Sequence, residues 1–189
     1  MHRTSEVLDY WLQTVGPEGW FAVAPEVDSH ISSRFQGAWQ EVAAGELTHW
    51  CDDARGCLAY LIVADQFSRN MFRGDARSFA TDAAARDAAR TAIARGFDLA
   101  VAEPERAFFY LPFEHAENLA DQDWSVALMT ARLPSDPGHA LHARAHREII
   151  RRFGRFPYRN EALGRPSTPE ERAFLARGGY GALVRDMGG

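Results

Sequence analysis

The sequence predicts an all-α protein, a single domain over residues 1–189 built as an antiparallel helical array. Helix-starting and helix-ending residues recur along the chain, apolar residues repeat at the spacing of one helix face, and strand-like alternation is nearly absent. A chain of 189 residues, 46% of them apolar, can bury one sizeable core. Short connections between the predicted helices favour antiparallel neighbours.

In the N-terminal half, amphipathic patterns and their end signals place the helices. Ser5 is positioned to cap a first helix, which Gly16-Pro17 ends, and apolar residues between Val27 and Val42 indicate a second. The third predicted helix is apolar on all sides in its first half, and its length and polar continuation favour helix over strand. The predicted ranges are 6–15, 27–42, 57–72 and 82–96.

In the C-terminal half, the first predicted helix contains Pro112, which should kink it. The last predicted helix begins with the segment Thr168-Pro169-Glu170-Glu171, which has the pattern of a capping box with proline at the first helical position. The predicted ranges are 105–121, 124–133, 139–153 and 169–177.

Composition excludes several classes of protein. No stretch approaches the roughly twenty apolar residues of a membrane span, and the N-terminus lacks the apolar run of a signal peptide, so a cytoplasmic protein without a membrane partner is expected. A net charge of -5 argues against a nucleic-acid partner. Every one of the 21 basic residues is arginine, whose planar fork suits carboxylates and phosphates.

The cysteines and the clustered histidines are candidate metal ligands. Cys51 and Cys57 are spaced as C-x5-C, which matches no common zinc or redox motif, so two buried or half-buried thiols are expected. His142 and His146 have the i,i+4 spacing of a helical two-histidine site, but the segment lacks the glutamate of a metalloprotease motif. We therefore predict a structural role for the pair, no metal and no cofactor.

The second half of the third predicted helix carries a polar stripe. Its acid-first pair Asp65 and Arg69 has the i,i+4 spacing of a favourable intrahelical ion pair. A solvated surface is the alternative, but the apolar turns before it and the mixture of amides with charges favour a pocket lining. The predicted ligand-binding residues here are Asp65, Gln66, Arg69, Asn70 and Arg73.

A further polar group comes from the kinked helix and from the region of the histidine helix. His146 extends the apolar stripe formed by Ile149, Ile150 and Phe153, so its side chain is expected to face inward. The turn after that helix can present arginine forks to an anion. The predicted catalytic residues are Glu114, His115 and His146, and the predicted ligand-binding residues are Arg155, Arg159 and Asn160.

Several blocks together resemble a bacterial family of unknown function, DUF924. They are Asp65–Gly74 (DQFSRNMFRG), Arg106–His115 (RAFFYLPFEH), residues 146–160, the tail 163–171 and the opening Val7–Trp11. Two departures are Ser68, where the family usually has proline, and Tyr158, where it often has histidine. The resemblance implies a helical fold similar to tetratricopeptide-repeat proteins and implies no reaction.

Four hypotheses follow. In the first, an arginine-rich polar pocket binds an anionic small molecule or acidic peptide group. There, Asp65 and Glu114 orient the arginines, and His115 or His146 moves a proton. In the second, the chain is a hydrolase or lyase using a histidine–carboxylate pair. In the third, it is an interaction adaptor of the tetratricopeptide kind. In the fourth, the polar residues form an internal ion-pair network that fixes helix register.

Overall fold

A computed structural model of the chain describes residues 2–188. Every regular element in this part of the chain is a helix, and no described residue lies in a strand, so the all-α prediction is confirmed. None of these helices is long and apolar enough to cross a membrane. The chain divides into two compact units, an N-terminal unit of Met1–Pro112 and a C-terminal unit of Phe113–Gly189.

The N-terminal unit alternates α-helices with shorter helical segments. Two stretches are π-helical, Asp9–Val15 and Ile62–Phe67, and the 3-10 helices are Thr48–Asp52, Ala76–Phe79, Asp98–Ala100 and Glu105–Phe109. The α-helices are α1 His2–Leu8, α2 Gly16–Gly19, α3 Pro25–Ala43, α4 Ala54–Leu61, α5 Ser68–Met71 and α6 Asp82–Ala94; α7, Leu111–Glu114, spans the boundary of the units.

The centre of the N-terminal unit is the continuous helical run through α4, the following π-helical stretch and α5. Asp53 caps its start, since one side-chain oxygen accepts a 2.9 Å hydrogen bond from the backbone N–H of Gly56. Residues 56–68 are all buried, as expected for a segment whose first half is apolar on all sides. Trp11 meets Phe67 edge to face at 5.3 Å between ring centroids, joining the opening segment to this core.

The C-terminal unit contains α8 Leu119–Arg132, α9 Pro137–Phe153, α10 Pro169–Ala176 and α11 Gly179–Gly188, with a 3-10 helix at Pro157–Arg159. Its apolar cluster is Ala145, Ile149, Ile150, Phe156, Phe174 and Leu183. Gly154 ends α9 in the left-handed conformation with φ 68°. The predicted capping box is confirmed, because Thr168 and Glu171 each bond the other's backbone N–H at the start of α10.

The prediction of one kinked helix over 105–121 was wrong. The segment consists of a 3-10 helix, the short α7 and a non-helical connection, and α8 begins at Leu119 instead of Trp124. Asn118 explains the break: its backbone is extended and its side-chain oxygen accepts the N–H of Asp121 at 3.1 Å. Asn118 is therefore an N-cap. The interruption leaves Glu114 and His115 at the end of α7.

Candidate functional site

The polar residues predicted from the sequence fall into two groups, one in each unit. Asp65, Gln66, Arg69, Asn70 and Arg73 belong to the N-terminal unit, and Glu114, His115, His146, Arg155, Arg159 and Asn160 belong to the C-terminal unit. Within the N-terminal group, Arg69 contacts Asp65, whereas Asn70 and Arg73 contact Asp28.

In the N-terminal group, Asp65 and Gln66 lie in the π-helical stretch and are buried, with 1% and 6% of their surface exposed. The side-chain N–H of Gln66 donates to Asp65 Oδ2 at 2.5 Å. The predicted i,i+4 pair is present, with Arg69 Nη1 at 3.2 Å from Asp65 Oδ1. The second Nη of Arg69 lies 3.1 Å from Asp82 on α6. The Arg69 guanidinium thus bridges two carboxylates of the same unit.

Asp28 on α3 holds the other end of this polar stripe. Arg73 donates to it from Nε and Nη2 at 2.5 and 2.9 Å, and Asn70 donates to Oδ1 at 2.7 Å. Burial raises the pKa of Asp28, but the hydrogen bonds from Arg73 and Asn70 outweigh it, so the pKa is lowered. These contacts tie α5 and the residues just after it to α3.

In the C-terminal group, the central contact joins α9 to the end of α7. His146 Nδ1 lies 2.9 Å from Glu114 Oε1, with 12% and 5% of the two side chains exposed. The same nitrogen is 3.0 Å from the backbone carbonyl of His142. The other carboxylate oxygen, Oε2, is buried without a hydrogen-bond partner among the described residues. A carboxylate held against one imidazole nitrogen leaves Nε2 of that ring for other contacts.

Charge and burial act in opposite directions on Glu114. Burial raises its pKa, whereas the nearby histidines, His146 first and then His115 and His142, lower it by more, so the net pKa is below the usual value. The carboxyl is therefore ionised at neutral pH. An ionised carboxylate favours a proton on the Nδ1 that faces it, which fixes the tautomer of the neutral imidazole.

Tyr180 on α11 completes this cluster and was missed by the sequence reasoning. Its hydroxyl is hydrogen-bonded to His142 Nδ1, and its ring centroid lies 4.6 Å from that of His146. Burial first, and then the charge of Glu114, raise the pKa of Tyr180, so it stays a neutral phenol. Only its place two residues after Gly178 distinguishes it in the sequence, and nothing there links it to α9.

The arginine-rich turn after α9 is held by carboxylates. The Arg155 guanidinium donates to both carboxylate oxygens of Glu171, with Nε–Oε1 and Nη2–Oε2 distances of 2.6 and 2.9 Å. Asn160 donates to the same carboxylate at 3.1 Å. The Arg165 guanidinium likewise donates to both carboxylate oxygens of Glu117, at 2.6 and 2.9 Å. The hydrogen bond from Arg155 is the main reason that the pKa of Glu171 falls to about 2.

Arg159 and Phe156 connect this turn to the histidine cluster. The Arg159 guanidinium carbon lies 4.5 Å from the centroid of the Phe156 ring. The same ring meets His146 edge to face at 5.5 Å between centroids. His115 approaches from another side, with its ring centroid 6.2 Å from that of His146. Glu114, His115, His142, His146 and Tyr180 are called the acid–base cluster below.

The metal hypotheses for the histidines gain no support from the geometry. Within residues 2–188, no group of three or more His, Cys, Asp or Glu side chains is arranged to hold a metal ion. His146 directs Nδ1 to a carboxylate, while the Nδ1 of His142 contacts a phenol. These contacts suit proton transfer and orientation of the imidazole rings.

Comparison with known proteins agrees with the resemblance noted from the sequence. The model of the family described as bacterial protein of unknown function, DUF924, matches residues 7–179. The chain belongs to the DUF924 family. A solved structure of a protein of unknown function from Agrobacterium tumefaciens is similar to this member, with 44% identity and a TM-score of 0.87. The match covers 92% of this chain and 97% of that chain. No curated protein matches.

The two expected departures from the DUF924 pattern have structural consequences in this member. Ser68 follows the π-helical stretch, and its hydroxyl donates to the carbonyls of Ala64 and Asp65 at 3.1 and 3.3 Å. A proline there would lack both this hydroxyl and a backbone N–H. Tyr158 is 42% exposed and stacks on Phe156 at 5.3 Å between centroids. It thus presents a phenol at a position where the resemblance implies an imidazole.

Proposed function

We propose that this DUF924 chain is an acid–base enzyme, a hydrolase or lyase, that uses the Glu114–His146 pair. The observation that carries the proposal is the 2.9 Å contact between a buried, ionised carboxylate and Nδ1 of a half-buried imidazole. Glu114 holds the Nδ1–H tautomer and stabilises the imidazolium that forms during proton transfer. Nε2 of His146 is then the atom that takes the proton from water or from the substrate.

Tyr180 and His142 supply the complementary proton. A neutral phenol beside the base can donate a hydrogen bond to a developing negative charge, and the raised pKa of Tyr180 keeps the phenol protonated at neutral pH. His142 is exposed and bonded to that hydroxyl, so it can return the proton from solvent. This division assigns the base and the acid to different side chains of one cluster.

The anionic-ligand hypothesis narrows to one of the predicted arginines, Arg159. Its guanidinium stacks on the Phe156 ring, and the same ring contacts His146. Arg159 is therefore our choice for the group that attracts a carboxylate or phosphate of the substrate. The ion pairs of Arg69, Arg73 and Arg155 also support the fourth hypothesis, a network that fixes helix register.

The test measures turnover of small anionic esters, phosphate monoesters and hydroxy acids by the wild type and three variants. We expect His146→Gln to lower kcat/KM by about 10²- to 10⁴-fold. Glu114→Gln should lower it as well, because the imidazole loses the acceptor that fixes its tautomer. His49→Gln, which changes an exposed histidine in the N-terminal unit, is the control.

Imidazole ¹⁵N spectra separate this role from a structural one. In the wild type, the His146 signals should show the Nδ1–H tautomer, and Glu114→Gln should change the tautomer balance while the protein stays folded. Turnover that survives both cluster variants within about twofold, together with an unchanged tautomer, would show that the cluster is structural.

A further inference from the structure

The chain's two cysteines lie on either side of the turn that begins α4. Cys51 lies in the 3-10 helix Thr48–Asp52 and Cys57 in the first turns of α4, and Asp53 caps the helix between them. The backbones are in close contact here, since a Cβ added to Gly56 would lie 2.2 Å from the carbonyl oxygen of Trp50. The two thiols are near enough for each to shift the pKa of the other. Neither the C-x5-C spacing nor the family pattern indicated this contact.

The two thiols differ in access. Cys57 is fully buried, whereas Cys51 is half-buried and lines an open cavity of about 480 Å³. Thr48, Tyr60 and Asp87 also line this cavity. A small molecule that enters it can therefore reach the sulfur of Cys51 before that of Cys57.

The electrostatic surroundings favour the accessible thiol as the thiolate. Arg95 donates to the backbone carbonyls of Cys51 and Asp52, both at 3.0 Å, which fixes a guanidinium beside this turn. The hydrogen bond from Cys57 is the main cause that lowers the pKa of Cys51, and Arg95 adds to it. The same hydrogen bond, followed by burial and the charge of Cys51, raises the pKa of Cys57.

We propose that Cys51 and Cys57 form a redox-active dithiol that is oxidised by a small organic disulfide entering the cavity. The Cys51 thiolate attacks one sulfur of the disulfide, its S–S bond breaks, and one small thiol leaves with a proton from solvent. Cys57 then loses its proton and attacks Cys51 Sγ, and the second small thiol leaves. The chain gains one disulfide and loses two hydrogens, while the small disulfide is reduced to two thiols.

The order of the two steps follows from the positions of the sulfurs. Before the first step, the negative charge of Cys51 opposes ionisation of Cys57. Once Cys51 is bound in a mixed disulfide, that charge is gone, so deprotonation of Cys57 becomes easier. Cys51 is thus the attacking residue and Cys57 the resolving residue.

The test incubates the folded, reduced full chain with oxidised glutathione and follows intact mass and released glutathione. The wild type should lose two hydrogens and release two glutathiones per chain without retaining an adduct. Cys57→Ser should stop at one bound glutathione on Cys51. Cys51→Ser should react at least about tenfold more slowly than Cys57→Ser, because its remaining thiol is buried.

Circular dichroism and thermal unfolding of both serine variants check that their folds are retained, and a reaction in denaturant checks that each remaining thiol is intact. A wild type that keeps a bound glutathione as Cys57→Ser does would overturn the resolving role. Equal rates for the two serine variants would overturn the attacking role. A folded wild type that stays reduced while the denatured chain reacts would overturn the dithiol proposal itself.

Discussion

Replacing His146 with leucine tests whether the charge of Glu114 depends on this one imidazole. Leucine fills a similar volume but offers no proton to the carboxylate, so the variant leaves a charge in a site where only 5% of the glutamate side chain is exposed. Leaving a buried charge without its partner destabilises proteins by about 3–5 kcal/mol. For a chain of this size, that loss lowers Tm by about 6–20 °C.

The double variant separates charge from packing. When Glu114→Leu is added to His146→Leu, no charge remains buried, and an apolar pair of similar volume is often neutral or stabilising relative to the original pair. The double variant should therefore regain most of the stability that the single variant loses. The control is Arg147→Leu, which removes the partner of Asp123 in an exposed pair and should change stability by less than about 1 kcal/mol.

The loss should also depend on pH. In the wild type the folded-state pKa of Glu114 is lowered, so its contribution is present above the unfolded value of about 4.3 and disappears as pH falls through the folded pKa. In His146→Leu, burial still raises the pKa of Glu114, but the imidazole that lowers it most is absent. The folded-state pKa of Glu114 therefore rises. The destabilisation caused by the buried charge then decreases as pH falls through that raised pKa. The difference in unfolding free energy between the wild type and His146→Leu becomes smaller.

Urea unfolding at pH 7 and pH 5 measures both effects, with the change in unfolding free energy taken from the midpoints at a common slope. We expect a gap of about 3–5 kcal/mol at pH 7 that is smaller at pH 5. A gap below about 1 kcal/mol at pH 7, or one that is unchanged at pH 5, would refute the reasoning, because Glu114 would then be charged and stable without its imidazole.

Two further predictions concern local structure. Gly56→Ala would place a methyl group against the Trp50 carbonyl. It should therefore destabilise the chain by about 1–3 kcal/mol in thermal unfolding and slow disulfide formation between the cysteines. An unchanged Tm and an unchanged rate of disulfide formation would contradict the close contact. Thr168→Ala should destabilise α10 by about 1 kcal/mol in urea unfolding, because it removes the hydroxyl that caps the helix. Thr168→Ser keeps the hydroxyl and should retain most of the stability. Equal losses of stability in the two variants would show that packing of the threonine methyl matters instead.

The fold was predictable where local signals act alone. The capping box at Thr168 and Glu171 needs only neighbouring residues, and the burial of α4 needs only its apolar composition. The π-helical stretches could not be predicted, since they arise when tertiary packing requires an extra residue in a helical turn. The break at Asn118 could not be predicted, because helical periodicity continues in the sequence on both sides of this single capping residue.

The candidate site was predictable in part. The inward stripe of α9 and the need for a carboxylate beside its histidines followed from the sequence, and the distance from Glu114 to His146 meets that condition. Which carboxylates would bind the arginines could not be predicted, because Asp28 and Glu171 are distant from Arg73 and Arg155 in sequence. The tetratricopeptide likeness, the adaptor alternative and the single-domain assignment stay predictions.

The π-helical stretch Ile62–Phe67 makes the length of its segment matter as much as its composition. Removing a single residue from α4, where every turn is a regular α-helical one, would turn the residues that follow by about 100° relative to the apolar turns before them. Arg69 would then move away from Asp82, and Asn70 and Arg73 from Asp28. A one-residue change in length keeps both sets of partners only where the wide π-helical turn can absorb it.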